Sequence, residues 1–309
     1  GMYSTFMLPN SSDKEKERLS QVCEAIKRIY ASTFFKEPKT LLSQFIQKHE
    51  EEKMAIIIME MVGKKHGGKF YPTFSGVAQS FNYYPVSHMQ RKQGVSFIAL
   101  GLGKTIAEGK KSLRFSPYYP EILSQFYSSD TMRENSQHAF YALNLNNGMN
   151  PMKQGEGKNL TLYNLNQAEE DGELKHLASI LDNNDNVLRE SLHQVGSRIL
   201  TFSGILKYGR FPLDKILQYF LEYGEKSLGC PIEIEFAVNL NEEEKDEFAL
   251  LQIKPMTISS LNNSNIDTNF SKDQLLCHSD LVLGNGSISN IENILYVDID
   301  KFDISQSKI

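Results

Sequence analysis

The residues best suited to chemistry lie in two short segments near position 240. In residues 232–240 apolar side chains alternate with polar ones, which predicts a strand with one buried and one polar face. Residues 248–254 predict a partner strand, and the charged residues 241–246 between them predict a turn. The two segments therefore predict an antiparallel hairpin whose polar face carries carboxylates.

The register of this hairpin determines which polar side chains meet. We expect Leu240 to pair with Glu247, because these residues flank the predicted turn. Residues opposed on one face of a hairpin have Cβ atoms roughly 4.5 to 5.5 Å apart. This register brings four polar side chains together in two opposed pairs: Glu235 with Gln252, and Glu233 with Lys254.

Such a cluster has the composition of a magnesium-nucleotide site. The metal requires hard oxygen donors, and a nearby cation offsets phosphate charge. Spacing alone leaves a second interpretation open, because the polar face of an amphipathic hairpin usually meets water and cross-strand Glu-Lys pairs are common.

Two further segments contain residues with chemical potential. The run MAIIIMEMV, residues 54–62, is apolar on both faces and predicts a strand buried on both sides. The segments SGVAQSFNYYP, from Ser75, and ALGLGKTIAEG, from Ala99, predict extended structure followed by glycine-bearing turns. Glycines such as Gly101 and Gly103 most often serve backbone geometry, so a lone GxG is weak evidence for a ligand.

The remaining sequence predicts the elements that would position these residues. Helices are predicted over residues 13–31, with a capping box from Ser12 to Glu15, and over 38–49, 167–181 and 212–228, the last followed by Gly229 as a left-handed stop. Strands are predicted near residues 75–83, 94–100, 139–145 and 160–165. After a Ser/Asn-rich linker at 259–265, a small β unit is predicted near 281–283 and 294–297.

Composition restricts the class of protein. The 309 residues carry a formal net charge of −5, with a pI near 5.9, which gives no overall attraction to nucleic acid or an anionic membrane surface. The three cysteines are far apart and form no CxxC pair, which favours a reducing, cytoplasmic setting without a zinc site. No apolar run has the length of a membrane span, and the first residues do not have the pattern of a secretory signal.

Four motifs, in one order, resemble the ATP-binding domain of the phosphoenolpyruvate synthase and pyruvate phosphate dikinase family. EIEFAVN and FALLQIKPM are similar to the family's D-I-E-[WF] and L-Q-[AC]-R, and MAIIIMEMV to its V-x-x-Q-x-M-V. The two glycine-bearing segments are similar to S-G-V-x-F-T-x-[ND]-P and G-L-G-E-x-V-V-x-G, with Lys104 in place of the family glutamate. The resemblance covers roughly residues 19–256.

The resemblance implies roles for particular residues and two ligands, ATP and Mg²⁺. Glu235 and Gln252 would hold the metal, with Gln252 also near the phosphates, and Lys254 would be the catalytic cation, standing where the family has arginine. That replacement retains the charge but loses the planar fork of guanidinium. The other implied nucleotide contacts are the adenine hinge Glu60, Met61 and Val62, and the glycines Gly101 and Gly103.

The resemblance also implies a fold and an incomplete enzyme. We expect an α/β (α+β), ATP-grasp-like domain over residues 1–256 that lacks the family's first subdomain, and a linker with a small β unit over 257–309. The family's R-S-S loop and T-S-H-A motif are not found in the sequence. Two hypotheses follow: an enzyme piece that binds Mg-ATP and works with the missing domains or a companion polypeptide, and a non-catalytic relic or interaction module.

Overall fold

The computed structural model describes residues 3–35, 54–86, 88–146, 159–183, 185–190, 192, 195–256, 275–276 and 290–294. By its internal contacts the chain divides into two units, Gly1–Met256 and Thr257–Ile309. The described part of the first unit is a mixture of helices and antiparallel sheets, which confirms the predicted α/β (α+β) class.

Six α-helices lie in the described part of the chain. Within the described residues they are α1 (Glu15–Ser32), α2 (Lys104–Ala107), α3 (Ser129–Asn135), α4 (Leu165–Glu170), α5 (Ser203–Leu206) and α6 (Leu213–Leu228). The long helix α6 ends at Gly229, whose φ of 68° is left-handed, as the sequence predicts. A short 3₁₀ helix spans Arg91–Gln93. Among the described residues, no helix is long and apolar enough to cross a membrane.

Twelve strands form three antiparallel sheets within the described residues. In chain order they are β1 (Lys64–His66), β2 (Lys69–Tyr71), β3 (Phe74–Gln79), β4 (Val95–Leu100), β5 (Leu113–Phe115), β6 (Ala139–Asn144), β7 (Leu160–Asn164), β8 (Ala178–Leu181), β9 (Leu188–Arg189), β10 (Ser197–Leu200), β11 (Ile232–Asn239) and β12 (Glu247–Pro255). The sheet orders are β1-β2-β6-β7, β10-β8-β9 and β12-β11-β3-β4-β5.

Helix α6 covers one face of the five-stranded sheet. Its Gly224 lies against the side chains of Ile232 and Ile253, and its Phe220 ring stacks on Phe248 with centroids 5.5 Å apart. The alternating apolar residues of β11 face this helix and are almost fully buried. The polar residues of β11 and β12 therefore lie on the opposite face of the sheet.

The packing of Phe236 explains why glycine occurs at position 76 of β3. A Cβ at Gly76 would lie 2.2 Å from the ring of Phe236, its cross-strand neighbour. Real Cβ atoms essentially never lie within 3.0 Å of such a neighbour, so the absence of a side chain at Gly76 is what allows the phenylalanine ring to lie on β3.

Three local predictions are wrong. Residues 54–62 form no strand, because no described strand pairs with their backbone. The side chains of Ile57, Ile58 and Met59 are 80%, 68% and 55% exposed. The helix predicted over 167–181 is replaced by α4, which ends before Gly172 at φ 82°, and by β8.

The third error concerns the start of α1. The Ser12 hydroxyl donates to the carboxylate of Glu17, and the helix begins after Lys14 without a side-chain cap. The helix itself is confirmed. The helix predicted over 38–49 lies outside the described residues, as do residues 281–283 and 295–297 of the predicted small β unit, and Ile294 has no regular structure.

Candidate nucleotide and metal site

The β11–β12 hairpin brings together the predicted polar pairs. Glu235 lies opposite Gln252 and Glu233 opposite Lys254, as predicted. The starting register is nevertheless wrong, because Glu247 pairs with Asn239 rather than with Leu240. A bulge between the Glu235 and Phe236 pairs adds one residue to β12 and so restores the predicted register at the chemically interesting end.

One ammonium group joins the two carboxylates of this cluster. Lys254 Nζ lies 2.7 Å from Glu233 Oε1 and 3.2 Å from Glu235 Oε1. The Gln79 amide donates to the other oxygen of Glu233 at 2.7 Å. The hydrogen bond to Glu233, followed by that to Glu235, raises the pKa of Lys254 above its ordinary value. Lys254 is therefore a firmly protonated cation between two carboxylates.

The cluster is accessible from outside. The side chain of Glu233 is 19% exposed, that of Glu235 41% and that of Lys254 44%. Sequence reasoning assigned the metal to Glu235 and Gln252 alone, although Glu233 has the shorter contact with Lys254. The signal that would have added Glu233 is its place two residues before Glu235, on the same face of the strand.

A row of side chains continues from this cluster across the sheet. The register places Gln252, Glu235, Val77, Phe97 and Arg114 side by side on five neighbouring strands. Opposed residues of antiparallel strands share a face, so the side chains of all five lie on the face of the sheet that points away from α6. Val77 and Phe97 are partly exposed, and together they form an apolar platform between Glu235 and the Arg114 guanidinium.

Arg114 is a cation that sequence reasoning missed. Its guanidinium donates to Asn82 Oδ1 at 2.9 Å and to the backbone oxygen of Tyr84 at 2.7 Å, and burial lowers its pKa. These bonds attach the loop after β3 to β5. With strands about 4.8 Å apart, Arg114 lies roughly 14 Å from Glu235. No local pattern relates Arg114 to Glu235, because they are far apart in sequence.

The glycine turn lies at the other end of the same sheet. Gly101 has a φ of 78°, and a Cβ there would lie 2.7 Å from the backbone oxygen of Tyr141, so the fold requires glycine. A Cβ at Gly103 would meet nothing nearer than Ser75 Cβ, at 3.7 Å. Gly101 is four residues beyond Phe97, or roughly 13 Å along the strand. The structure thus places the glycines and the carboxylates on one sheet but not in contact.

The predicted adenine hinge precedes β1. Glu60 is exposed, whereas Met61 and Val62 are partly buried and Met61 packs against the main core. The next strand begins at Lys64, whose Nζ donates to the backbone oxygen of Leu240 at 2.9 Å. The hinge residues therefore approach the turn end of the hairpin rather than the end that carries Lys254.

A family model supports the resemblance of the four motifs. The model of the pyruvate phosphate dikinase AMP/ATP-binding domain matches residues 1–274 of the 309. The chain belongs to this family. None of the curated proteins matches the chain. The mixed α/β architecture is consistent with the ATP-grasp-like fold expected of a dikinase AMP/ATP-binding domain.

Lys104, which replaces the glutamate of the family motif, forms local contacts in the structure. Lys104 Nζ lies 3.0 Å from Glu108 Oε1, and Lys110 Nζ lies 3.1 Å from Glu108 Oε2. The Tyr141 hydroxyl also donates to Glu108, at 2.7 Å. Lys104 is therefore engaged within its own turn.

Glu108 also gives a pH-dependent prediction. The hydrogen bonds from Tyr141 and Lys104 lower its pKa to about 2. Because the folded pKa lies below that of the unfolded chain, the stabilisation is complete above about pH 4.5 and is lost as pH falls towards 2. We expect Glu108→Gln to flatten the pH dependence of the unfolding free energy in this window, measured by urea denaturation. An unchanged slope would contradict this assignment, and the effect is small because the group is exposed.

A cleft of about 650 Å³ lies at the turn end of the hairpin, and its lining does not include Lys254. Its wall includes Glu173, a buried carboxylate that forms an ion pair with Lys64 and lies 3.3 Å from His66 Nε2. Contacts with His66, Lys64 and Thr73 lower the Glu173 pKa against the opposing effect of burial, which is the largest single influence. Arg210 at the same cleft is bound to Asp246. These charges are already paired, which is typical of a structural ion network.

Proposed function

We propose that the chain binds Mg-ATP on the partly exposed side of the five-stranded sheet that carries Lys254, as the ATP-binding part of a phosphoenolpyruvate synthase-like phosphotransferase. The observation that carries the proposal is the convergence of Glu233, Glu235 and Lys254 on a face that offers a partly exposed apolar platform. Membership of the dikinase AMP/ATP-binding family supports ATP as the nucleotide.

The donor set fits Mg²⁺. The carboxylates of Glu233 and Glu235 each have an oxygen within 3.2 Å of Lys254 Nζ. The Gln252 side chain lies opposite Glu235 on the adjacent strand. No group of three or more His, Cys, Asp or Glu suited to a metal occurs in the described part of the chain. Mg²⁺ does not require one, because it keeps several waters and is bound by one or two carboxylates plus substrate phosphates. When bound, Mg²⁺ would neutralise charge on the phosphate oxygens.

The other proposed roles follow the geometry of the sheet. Glu235 and Glu233 would hold the metal, Gln252 would contact the phosphates, and Lys254 would neutralise phosphate charge. Gly103 has room for a close approach by the nucleotide. The remaining proposed contacts are Gly101 at the same turn and the adenine hinge of Glu60, Met61 and Val62.

The phosphoryl acceptor lies outside this site. By family resemblance, the phosphoryl group would pass from ATP to a phosphocarrier histidine and then to pyruvate, with the histidine and the pyruvate site on the family's other domains or on a companion polypeptide. We propose that the described part of the chain supplies nucleotide binding, and that transfer depends on those partners.

Two observations favour a second candidate, a non-catalytic module that retains the fold. Lys254 forms ion pairs with both carboxylates, as in a purely structural ion cluster. The exposed apolar residues Ile57, Ile58 and Met59 are also typical of a surface that contacts another polypeptide.

Calorimetry with ATP separates the two candidates. We expect ATP to bind in the presence of Mg²⁺ and to bind at least about tenfold more weakly with excess chelator, because phosphate charge would then face two carboxylates. AMP, which lacks the β- and γ-phosphates, should show little dependence on the metal. The absence of binding for both nucleotides, with the protein folded by circular dichroism, would favour the non-catalytic module.

A further inference from the structure

The ammonium of Lys254 occupies the point where the carboxylates of the proposed metal site converge. Its 2.7 Å distance to Glu233 is that of a charge-assisted hydrogen bond, and its 3.2 Å distance to Glu235 is at the long end of the hydrogen-bonding range. Mg²⁺ would need the same oxygens at 2.0 to 2.1 Å, in a volume that the ammonium fills. The two cations therefore exclude each other from this pair of carboxylates.

We propose that Lys254 is a tethered cation that competes with the divalent metal, so that metal binds tightly only together with the nucleotide. The inference rests on the proposed function and adds an order of binding to it. Without nucleotide, Lys254 holds both carboxylates and the metal binds weakly. When phosphates are present, the ammonium would exchange carboxylate oxygens for phosphate oxygens, which would leave Glu233 and Glu235 free to hold the metal.

The chemistry of lysine suits this exchange better than that of arginine. Lysine carries a compact point charge on a flexible four-carbon stem, so one ammonium can reach either set of oxygens. The planar guanidinium found in the family motif would favour one fixed, bidentate arrangement. The lysine at position 254 thus gives this chain a movable charge.

Gln79 explains why the carboxylates would stay in place after the exchange. Its amide donates to Glu233 Oε2 at 2.7 Å, while Lys254 contacts Oε1 of the same carboxylate. Glu233 therefore keeps one hydrogen bond when the ammonium leaves. The freed oxygen remains directed towards the space that it shares with Glu235.

The test is Mn²⁺ binding without nucleotide, measured by the electron paramagnetic resonance signal of free Mn²⁺. We compare the wild type with Lys254→Gln and with Lys254→Met, two ways of removing the ammonium. Losing two partly exposed ion pairs should let Mn²⁺ bind about tenfold more tightly in both variants. Lys226→Gln, an exposed lysine on α6, makes the same change in net charge and should bind Mn²⁺ as the wild type does.

The outcomes distinguish this inference from the proposed function. Adding Glu235→Gln to Lys254→Gln should abolish the gain, which would place the metal at these carboxylates. If Mn²⁺ binds equally to the wild type and to both folded Lys254 variants, the competition is refuted while nucleotide binding stands. If ATP binding is insensitive to Mg²⁺ and no variant binds Mn²⁺, both the inference and the proposed metal site are refuted.

Discussion

Replacing Glu235 by glutamine is expected to weaken Mg-ATP binding by about 10- to 100-fold, the range found when the ligand sphere of a metal is disturbed. The substitution keeps the size of the side chain and one acceptor oxygen but removes the charge that would attract the metal. Glu235 is 41% exposed, so the glutamine has access to water and needs no new buried partner. The fold should therefore be retained, and the loss should be confined to ligand binding.

Isothermal calorimetry with Mg-ATP measures this effect. Glu244→Gln is a matched control, because Glu244 is an exposed carboxylate in the turn of the same hairpin, away from Lys254. It should bind Mg-ATP as the wild type does. Equal affinity of wild type and Glu235→Gln would remove Glu235 from the site, and an equal loss in Glu244→Gln would mean that net charge, rather than position, controls binding.

The largest effect on stability is expected for Phe236→Ala. Phe236 is 1% exposed, lies on the backbone of Gly76 and stacks with Phe248 at a centroid distance of 5.3 Å. Truncating a buried phenylalanine to alanine costs about 3 to 5 kcal/mol, because the lost contacts leave a cavity. Glycine at position 76 has no side chain with which to fill it. This loss is a large part of the 5 to 15 kcal/mol that typically stabilises a domain.

Urea denaturation followed by circular dichroism measures the unfolding free energy of this variant. Tyr84→Ala is the control, because it removes an aromatic ring that is 67% exposed and should change the unfolding free energy by no more than about 0.5 kcal/mol. If Phe236→Ala lowers the unfolding free energy no more than Tyr84→Ala does, the packing of Phe236 on Gly76 is not what stabilises the sheet.

The sequence by itself determined the elements whose signals are local. Alternation along residues 232–239 set the faces of β11, because successive side chains of a strand point in opposite directions. The apolar spacing of residues 213–228 and the left-handed Gly229 determined α6 and its end. The four motifs, read in order, were sufficient to indicate the family. These features depend on neighbours a few residues away, so the chain printed in one line contains them.

The tertiary structure decided the features that depend on distant partners. Residues 54–62 have the composition of a buried strand, but a strand forms only where another strand pairs with its backbone, and no described strand does so. The bulge in β12 depends on how two whole strands pair, and it changed the register at the turn while preserving both polar pairs. Arg114 joins the row of Glu235 only through the pairing of β5, β4, β3 and β11. That Lys254 contacts Glu235 as well as its predicted partner Glu233 was likewise decided by distance in space, because its flexible side chain reaches both carboxylates.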